Sequence, residues 1–528
     1  MHRRLFTYYS ILSILVLIQA CAVGPNFQAP EKKTPVTYRY TNSSTDSIIN
    51  LRWWKIFNDP VLDTLIKTAL LENKDVLIAA SRVEQARANV GYNKADYGPK
   101  IGVSGNANRT DMFQSIHLDN TVNSFTASAV ANWELDFWGK YRRSTEAAKA
   151  ELLASFYGKR AIEIALISEV AKNYFQLIDY KARLQISENT LALRDSTLQI
   201  IQARFDQGYT HVIDVNQAEI QKGITQISVP RFKRAIAFTE HNLSILLGRN
   251  PREIPTLKSL EKYAIPDSIP VGIPSELLER RPDILQAEQF YRSQNARIGV
   301  AQAMRFPSIS LTGMLGLGSN ELSDLVSNGL GWSAGASLFG PLFEWGKNVR
   351  RVDIEREKTK QALLGYENTV LTALLEVDNA LVELSTLREE LDANNIVMTA
   401  ASNASYLSRQ RYYQGVTSYL EVIENQRVEF DAKLSLAENY QKLLNAYVNL
   451  YKSLGGGWIS QEEMDIYARQ VADDQNMGVS EIEQDTLGYN GQIVDLNLTK
   501  EQEKARKEAA KALRKQEKEA RKAQRRNQ

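Results

Sequence analysis

The sequence predicts a mainly α protein with a small β part that spans a membrane, and three observations predict it. Residues recur in order at an offset of 207 to 208, so the chain holds two copies of one plan. Four segments, two per copy, alternate apolar and polar residues over about the 9 to 11 residues a tilted strand needs to cross a bilayer. Two stretches of about 70 residues contain no proline and few glycines, as long helices require.

The chain starts with a basic trio (His2, Arg3, Arg4), an apolar run from Ile11 to Ile18, and Ala20 before Cys21, its one cysteine. This is the pattern of a secretory signal, here residues 1–20. Ile18-Gln19-Ala20-Cys21 resembles a bacterial lipobox, with Gln19 where a small residue is more usual. Cys21 is therefore the predicted lipid attachment site, the alternatives being an ordinary cleavable signal or an uncleaved anchor. A lone cysteine forms no internal disulfide. An extended segment, 21–50, follows. No later apolar run approaches the roughly 20 residues of a spanning helix, so any crossing falls to strands.

The repeats are assigned to residues 51–258 and 259–458. At an offset of 208, Asp75, Leu77, Ala88, Gly91, Pro99, Ile101 and Gly105 match Asp283, Leu285, Ala296, Gly299, Pro307, Ile309 and Gly313. At 207, Trp138-Gly139-Lys140 returns as Trp345-Gly346-Lys347, and Arg204, Gln207, Gly208 and Thr210 return as Arg411, Gln414, Gly415 and Thr417. Each copy reads as helix, two strands, long helix, turn, helix. The strands are expected at about 99–108, 124–137, 307–318 and 331–342. Phe125, Ala127, Ala129, Trp133 and Leu135 alternate with Ser124, Thr126, Ser128, Asn132 and Glu134, which gives one apolar and one polar face. Four strands cannot close a barrel, and open edges are not tolerated in hydrocarbon, so the barrel must be shared between chains. Two, three or more chains would satisfy closure. A soluble sheet with one solvated face is the alternative.

The long hairpins are expected at 138–250 and 345–454, with first arms that reach about 100 Å at 1.5 Å per residue. Leu363, Tyr366, Val370, Leu374, Val377, Leu381 and Leu384 step by three and four, as in a coiled-coil seam. A duplicated hairpin below a shared barrel suggests a tube, although such a stripe also lines solid bundles. With a formal net charge of +2, no global field points to nucleic acid. The four histidines (His2, His117, His211, His241) are scattered, and no metal spacing, phosphate loop or nucleophile elbow stands out. No enzyme and no cofactor is expected. The C-terminal extension, 459–528, ends from Thr499 onward in 12 basic and 5 acidic residues, the pattern of a solvated charged tail.

Several blocks in order resemble one family. They are Trp53-Trp54-Lys55-Ile56-Phe57-Asn58-Asp59-Pro60, Leu277-Leu278-Glu279-Arg280-Arg281-Pro282-Asp283-Ile284, Phe306-Pro307 and Leu454-Gly455-Gly456-Gly457-Trp458. From about Cys21 to Trp458 the chain resembles the TolC-like outer-membrane factors, in particular the lipoprotein branch of tripartite multidrug efflux systems. The resemblance implies a homotrimer with a 12-strand barrel, four strands per chain, continuous with a helical tunnel. It implies location at the outer membrane, a periplasmic adaptor and an inner-membrane proton-driven transporter as partners, and export of small molecules. A conduit for protein secretion and a non-conducting coiled-coil tether are the rival readings.

The resemblance also implies functional residues. The hairpin tips fall at Gly208 and Gly415, and the segments with Arg204, Gly208 and Thr210 and with Arg411, Gly415 and Thr417 are expected to contact the adaptor. Leu420, Glu424 and Arg427 match the family's apolar ring, acidic ring and basic partner of a periplasmic gate. Glu424 stands where aspartate is common, and Ile213, Gln217 and Ile220 in the first copy carry no charge. One acidic ring is therefore expected, not two. Trp138 and Trp345 are placed at the barrel-to-tunnel junction, packed there or marking the membrane interface.

Overall fold

A computed structural model describes residues 22–30, 34–35, 37–39, 53–111, 121–263, 274–327 and 329–456. Cys21 and the whole C-terminal extension lie outside these residues. The first copy comprises α1 (Pro60–Glu72), α2 (Lys74–Ala95), β1 (Lys100–Asp111), β2 (Thr121–Leu135), α3 (Lys140–Asp206) and α4 (Val212–Leu246). The second comprises α5 (Pro274–Arg280), α6 (Pro282–Ala303), β3 (Ser308–Ser319), β4 (Gly331–Phe339), α7 (Lys347–Tyr413) and α8 (Tyr419–Ser453). The plan read from the repeat is the plan observed. No helix among the described residues is long and apolar enough to cross a membrane.

α3 and α7 are each 67 residues long, which at 1.5 Å per residue is about 100 Å. They begin two residues later than expected because Gly139 and Gly346, with φ of 78° and 79°, turn the chain out of the strands first. Tyr366, Val370, Val377 and Leu384 of the expected seam are buried and Leu363, Leu374 and Leu381 half-buried. The seam thus packs as its period predicts.

The four strands form one antiparallel sheet in the order β1-β2-β3-β4. β1 and β2 pair from Lys100 opposite Asn132 to Asp111 opposite Thr121. β2 and β3 pair from Phe125 opposite Ser319 to Leu135 opposite Ile309, and β3 and β4 from Ser308 opposite Phe339 to Gly316 opposite Gly331. Among the described residues of one chain, therefore, β1 and β4 keep a free edge.

Midway along α3 an aromatic core ties the copies together. The Trp53 and Tyr451 rings stack at 5.5 Å, Phe57 meets Phe175 edge-on at 4.9 Å, and Val170, Leu177, Leu443 and Tyr447 fill the space between. Asp59 organises the start of α1: it accepts from the Val61 and Leu62 amides at 2.8 and 3.2 Å and from the Tyr174 hydroxyl at 2.9 Å, and Tyr263 also donates to it. Pro60 follows at the first helical position, where its missing amide hydrogen costs nothing. The Trp-Trp-x-x-Phe-x-Asp-Pro block is thus a core plug plus a helix cap.

The copies close their hairpin ends by different residues at equivalent places. Asn73 caps α2 and donates from its side-chain amide to the Leu246 carbonyl at 2.9 Å. One repeat on, the buried Arg281 donates to the Ser453 carbonyl at 3.0 Å and pairs with Glu376 at 2.7 Å.

Candidate functional site: helical tips and barrel junction

At the tips, each long helix ends on a left-handed glycine, Gly208 with φ of 77° and Gly415 with φ of 75°. The closing bonds repeat: the Tyr209 amide donates to the Arg204 carbonyl and the Val416 amide to the Arg411 carbonyl, each at 2.9 Å. Thr210 donates to the Asp214 carboxylate and Thr417 to the Glu421 carboxylate, so each threonine fastens the start of the return helix. Arg411 spans the second turn to Glu421 at 3.2 Å, and Arg204 lies 4.8 Å above the Tyr412 ring. Ile201, Val215, Ala218, Tyr419, Val422 and Ile423 pack the two tips against each other. Four of the expected contact residues (Arg204, Thr210, Arg411 and Thr417) therefore build the turns. Large apolar side chains that the tips leave exposed include Tyr209, Val212, Ile213, Tyr413 and Val416.

About two turns into α8, Arg427 grips Glu424 in a two-pronged contact at 2.6 and 3.1 Å and reaches Asp431 at 3.3 Å. All three side chains are about half exposed, and Leu420 is exposed on the same helix. The Arg427 hydrogen bond, and then its charge, hold the Glu424 carboxyl below the usual glutamate range. Two carboxylates and one guanidinium leave one net negative charge per chain. Asp431 was missed in the sequence although its spacing of four from Arg427 could have revealed it. In the first copy the matching positions, Ile213, Gln217 and Ile220, carry no charge, and Ile213 and Ile220 are exposed.

Behind this face lies Arg194 of α3, 3% exposed, which no sequence signal marked. It donates to the Gln221 carbonyl at 2.7 Å and to Thr225 of α4, and its guanidinium sits 5.2 Å from the Phe430 ring of α8. Burial lowers its pKa. One side chain thus joins three helices next to the charged cluster.

At the other end of the helices the two tryptophans differ. The Trp138 indole donates to the Pro307 carbonyl at 2.7 Å and its ring stacks on Phe306 at 4.6 Å. Trp345 lies at the equivalent junction but is 90% exposed, touching Phe343 at 5.2 Å between ring centres. The segment 22–30 also docks here. The Val23 amide donates to the Trp138 carbonyl at 3.0 Å. Arg143 donates to the Val23 carbonyl at 3.4 Å, the Gly24 carbonyl at 3.2 Å and the Asn26 side chain at 2.8 Å. Gly24 and Gly299 meet so closely that a Cβ on Gly24 would stand 2.5 Å from the Gly299 Cα. Among the described residues no group of His, Cys, Asp and Glu is set to hold a metal ion.

The profile of the family described as outer membrane efflux protein matches residues 65–249 and 273–456, one block per copy. The chain belongs to the outer membrane efflux protein family. It is 31% identical over 467 residues to the antibiotic efflux pump outer membrane protein ArpC of Pseudomonas putida, covering 86% of this chain and 96% of that one. It is 29% identical over 451 residues to the cation efflux system protein CusC of Escherichia coli K12, covering 84% and 98%. Among solved structures, the Campylobacter jejuni CmeC outer membrane channel superposes with a TM-score of 0.79 at 25% identity, covering 87% of this chain and all of that one. The open state of the Neisseria gonorrhoeae MtrE outer membrane channel gives 0.74 at 28% identity, covering 83% and 98%. Membership in this outer membrane efflux family places the chain in the outer membrane. The fold class is the family's as well, and the two free sheet edges are its share of a trimeric 12-strand barrel.

Proposed function

We propose that this chain is the outer-membrane channel of a tripartite efflux pump, conducting small molecules passively from a periplasmic adaptor and a proton-driven inner-membrane transporter to the exterior. The observation that carries the reading is the continuity of one architecture: a sheet with two free edges leads into helices of about 100 Å that end at a charged, apolar tip. A coiled-coil tether has no use for the sheet. The efflux systems named among the relatives favour small-molecule export over protein secretion. Cys21 carries the lipid anchor, and the docked segment 22–30 brings the chain to the barrel junction immediately after it.

The closed end is held at Leu420, Glu424 and Arg427. Three copies of a cluster with one net negative charge, set around a narrow opening, favour cations and oppose anions. The exposed Leu420 side chains close the passage by apolar contact, and adaptor binding at the tips opens it by favouring the dilated arrangement. Arg204, Gly208, Thr210, Arg411, Gly415 and Thr417 shape that docking surface by building the turns that present Tyr209 and Val416.

Single-channel conductance in planar bilayers tests both parts. Wild type should conduct weakly, and Glu424→Ala combined with Arg427→Ala should raise conductance severalfold. High conductance unchanged by the double substitution would discard the gate and keep the channel, whereas no conductance from either protein would discard the channel.

A further inference from the structure

The β2–β3 boundary, where the two copies meet inside one chain, ends in a clasp: the Trp138 indole donates to the Pro307 carbonyl and stacks on Phe306. Trp345 is the same residue one repeat later, and Pro99 stands one repeat before Pro307. Yet Trp345 is almost wholly exposed and its backbone has φ of 48°, a left-handed conformation uncommon for a bulky residue. An exposed indole on such a backbone lies at the end of the sheet whose edge is free.

The strand registers show how far the repeat extends. Moving β1 forward by 208 and β2 by 207 turns Lys100 opposite Asn132 into Ser308 opposite Phe339, which is the β3–β4 pairing found. The same operation on the β2–β3 pairing, β2 forward by 207 and β3 back by 208, gives a β4–β1 pairing that a single chain cannot make. Phe125 opposite Ser319 becomes Trp332 opposite Asp111, and Leu135 opposite Ile309 becomes Leu342 opposite Ile101. Residue kinds follow the operation: an aromatic at 125 and 332, leucine at 135 and 342, isoleucine at 309 and 101, proline at 307 and 99. β4 stops at Phe339 although the counterpart of the last β2 residue is Leu342. Residues 340–342 lie past the end of the pairing with β3, which stops at Ser308 opposite Phe339.

We propose that a second copy of this chain completes both features. Trp345 of one protomer donates its indole N–H to the carbonyl of Pro99 of the partner subunit. β4 pairs antiparallel with the partner subunit's β1 in the register that sets Trp332 against Asp111 of the partner subunit and Ala336 against Ala107 of the partner subunit. This rests on the trimeric channel reading and adds which residues meet at its subunit boundary. The clasp that joins the two copies within a chain thereby also joins chain to chain, so six equivalent junctions ring the barrel of a trimer.

Cysteine cross-linking of the purified full-length trimer tests the register. Ala336→Cys is combined in turn with Ala107→Cys, Gly105→Cys and Arg109→Cys, with the chain carrying no added cysteine as baseline for Cys21. Under oxidation the pair with Ala107→Cys should give covalent dimers and trimers about tenfold more efficiently than either pair shifted by two residues, because directly opposite Cβ atoms lie about 5 Å apart and diagonal ones farther. A maximum at Gly105→Cys or Arg109→Cys, or no cross-link at any pair in a trimer that still conducts, overturns the register while leaving the channel standing. Absence of trimer and of conductance in the unsubstituted protein overturns the channel reading itself. For the clasp, Trp345→Phe keeps the ring and removes the donor. It should lower the temperature at which the trimer dissociates in SDS by several degrees and leave the cross-linking pattern unchanged. An unaltered dissociation temperature overturns the clasp and leaves Trp345 as a ring at the membrane surface only.

Discussion

Replacing Arg143 by alanine should release the segment 22–30 from the barrel junction, and the size of the effect can be worked from its bonds. The Arg143 side chain is 7% exposed and makes two well-formed hydrogen bonds to the segment, to the Gly24 carbonyl at 3.2 Å and the Asn26 side chain at 2.8 Å, with a longer one to the Val23 carbonyl at 3.4 Å. A hydrogen bond from a charged donor contributes about 1.5 to 3 kcal/mol, so two give about 3 to 6 kcal/mol. Water entering the vacated space offsets part of this, which leaves about 3 kcal/mol, or roughly a hundredfold in a local opening equilibrium. The reporter is the Val23 amide, bonded to the Trp138 carbonyl. Hydrogen exchange of the peptide containing residues 22–30 should therefore speed up about a hundredfold in Arg143→Ala, while peptides from the core around Trp53 and Tyr451 keep their protection. Exchange within about threefold of wild type would refute the assignment of Arg143 as the residue that holds the segment. Gly299→Ala should give the same signature by another route, since its Cβ would stand 2.8 Å from both the Val23 carbonyl oxygen and the Arg143 Cγ.

Two further predictions concern pH and backbone. Asp179 is fully buried, and burial pushes its carboxyl up to about 6 against the opposing pull of Arg183. Because the folded value lies above the ordinary one, its contribution to stability is complete below about pH 4 and is lost as pH rises through 6, a swing on the order of 3 kcal/mol. Unfolding midpoints of wild type should therefore fall from pH 5 to pH 8 relative to Asp179→Asn, and identical profiles would sink the argument. Gly415 and Gly248 both have positive φ, but a Cβ meets nothing within 4 Å at Gly415 and would stand 2.2 Å from the Glu72 carbonyl oxygen at Gly248. Gly415→Ala should cost about 1 to 2 kcal/mol for the left-handed backbone alone, and Gly248→Ala clearly more. Equal shifts in thermal midpoint would show that the contact with Glu72 relaxes without cost.

The sequence by itself determined the duplicated plan, the four strands to within a few residues at each end, the two helices of 67 residues, the buried seam from Tyr366 to Leu384 and the glycine-turned tips. These are local properties: period, chain stiffness and backbone freedom are written in neighbouring residues, and repetition doubles the signal. The ion pair of Glu424 with Arg427 is local in the same way, the two being three apart on one helix, whereas their candidacy for a gate came from the family resemblance and not from spacing. Tertiary structure alone decided what depends on partners far along the chain. Gly91 and Gly299 are equivalent in the repeat, yet only Gly299 has the segment 22–30 pressed against it. Asn73 and Arg281 are equivalent and chemically unlike, yet each anchors the end of a return helix, through the Leu246 and Ser453 carbonyls. Arg194 looks like any helical arginine until α3, α4 and α8 close around it. Trp138 and Trp345 are indistinguishable as sequence, and what separates them is that Phe306 and Pro307 fold beside the first, whereas the second stands at the edge of the sheet, where one chain has nothing more to offer.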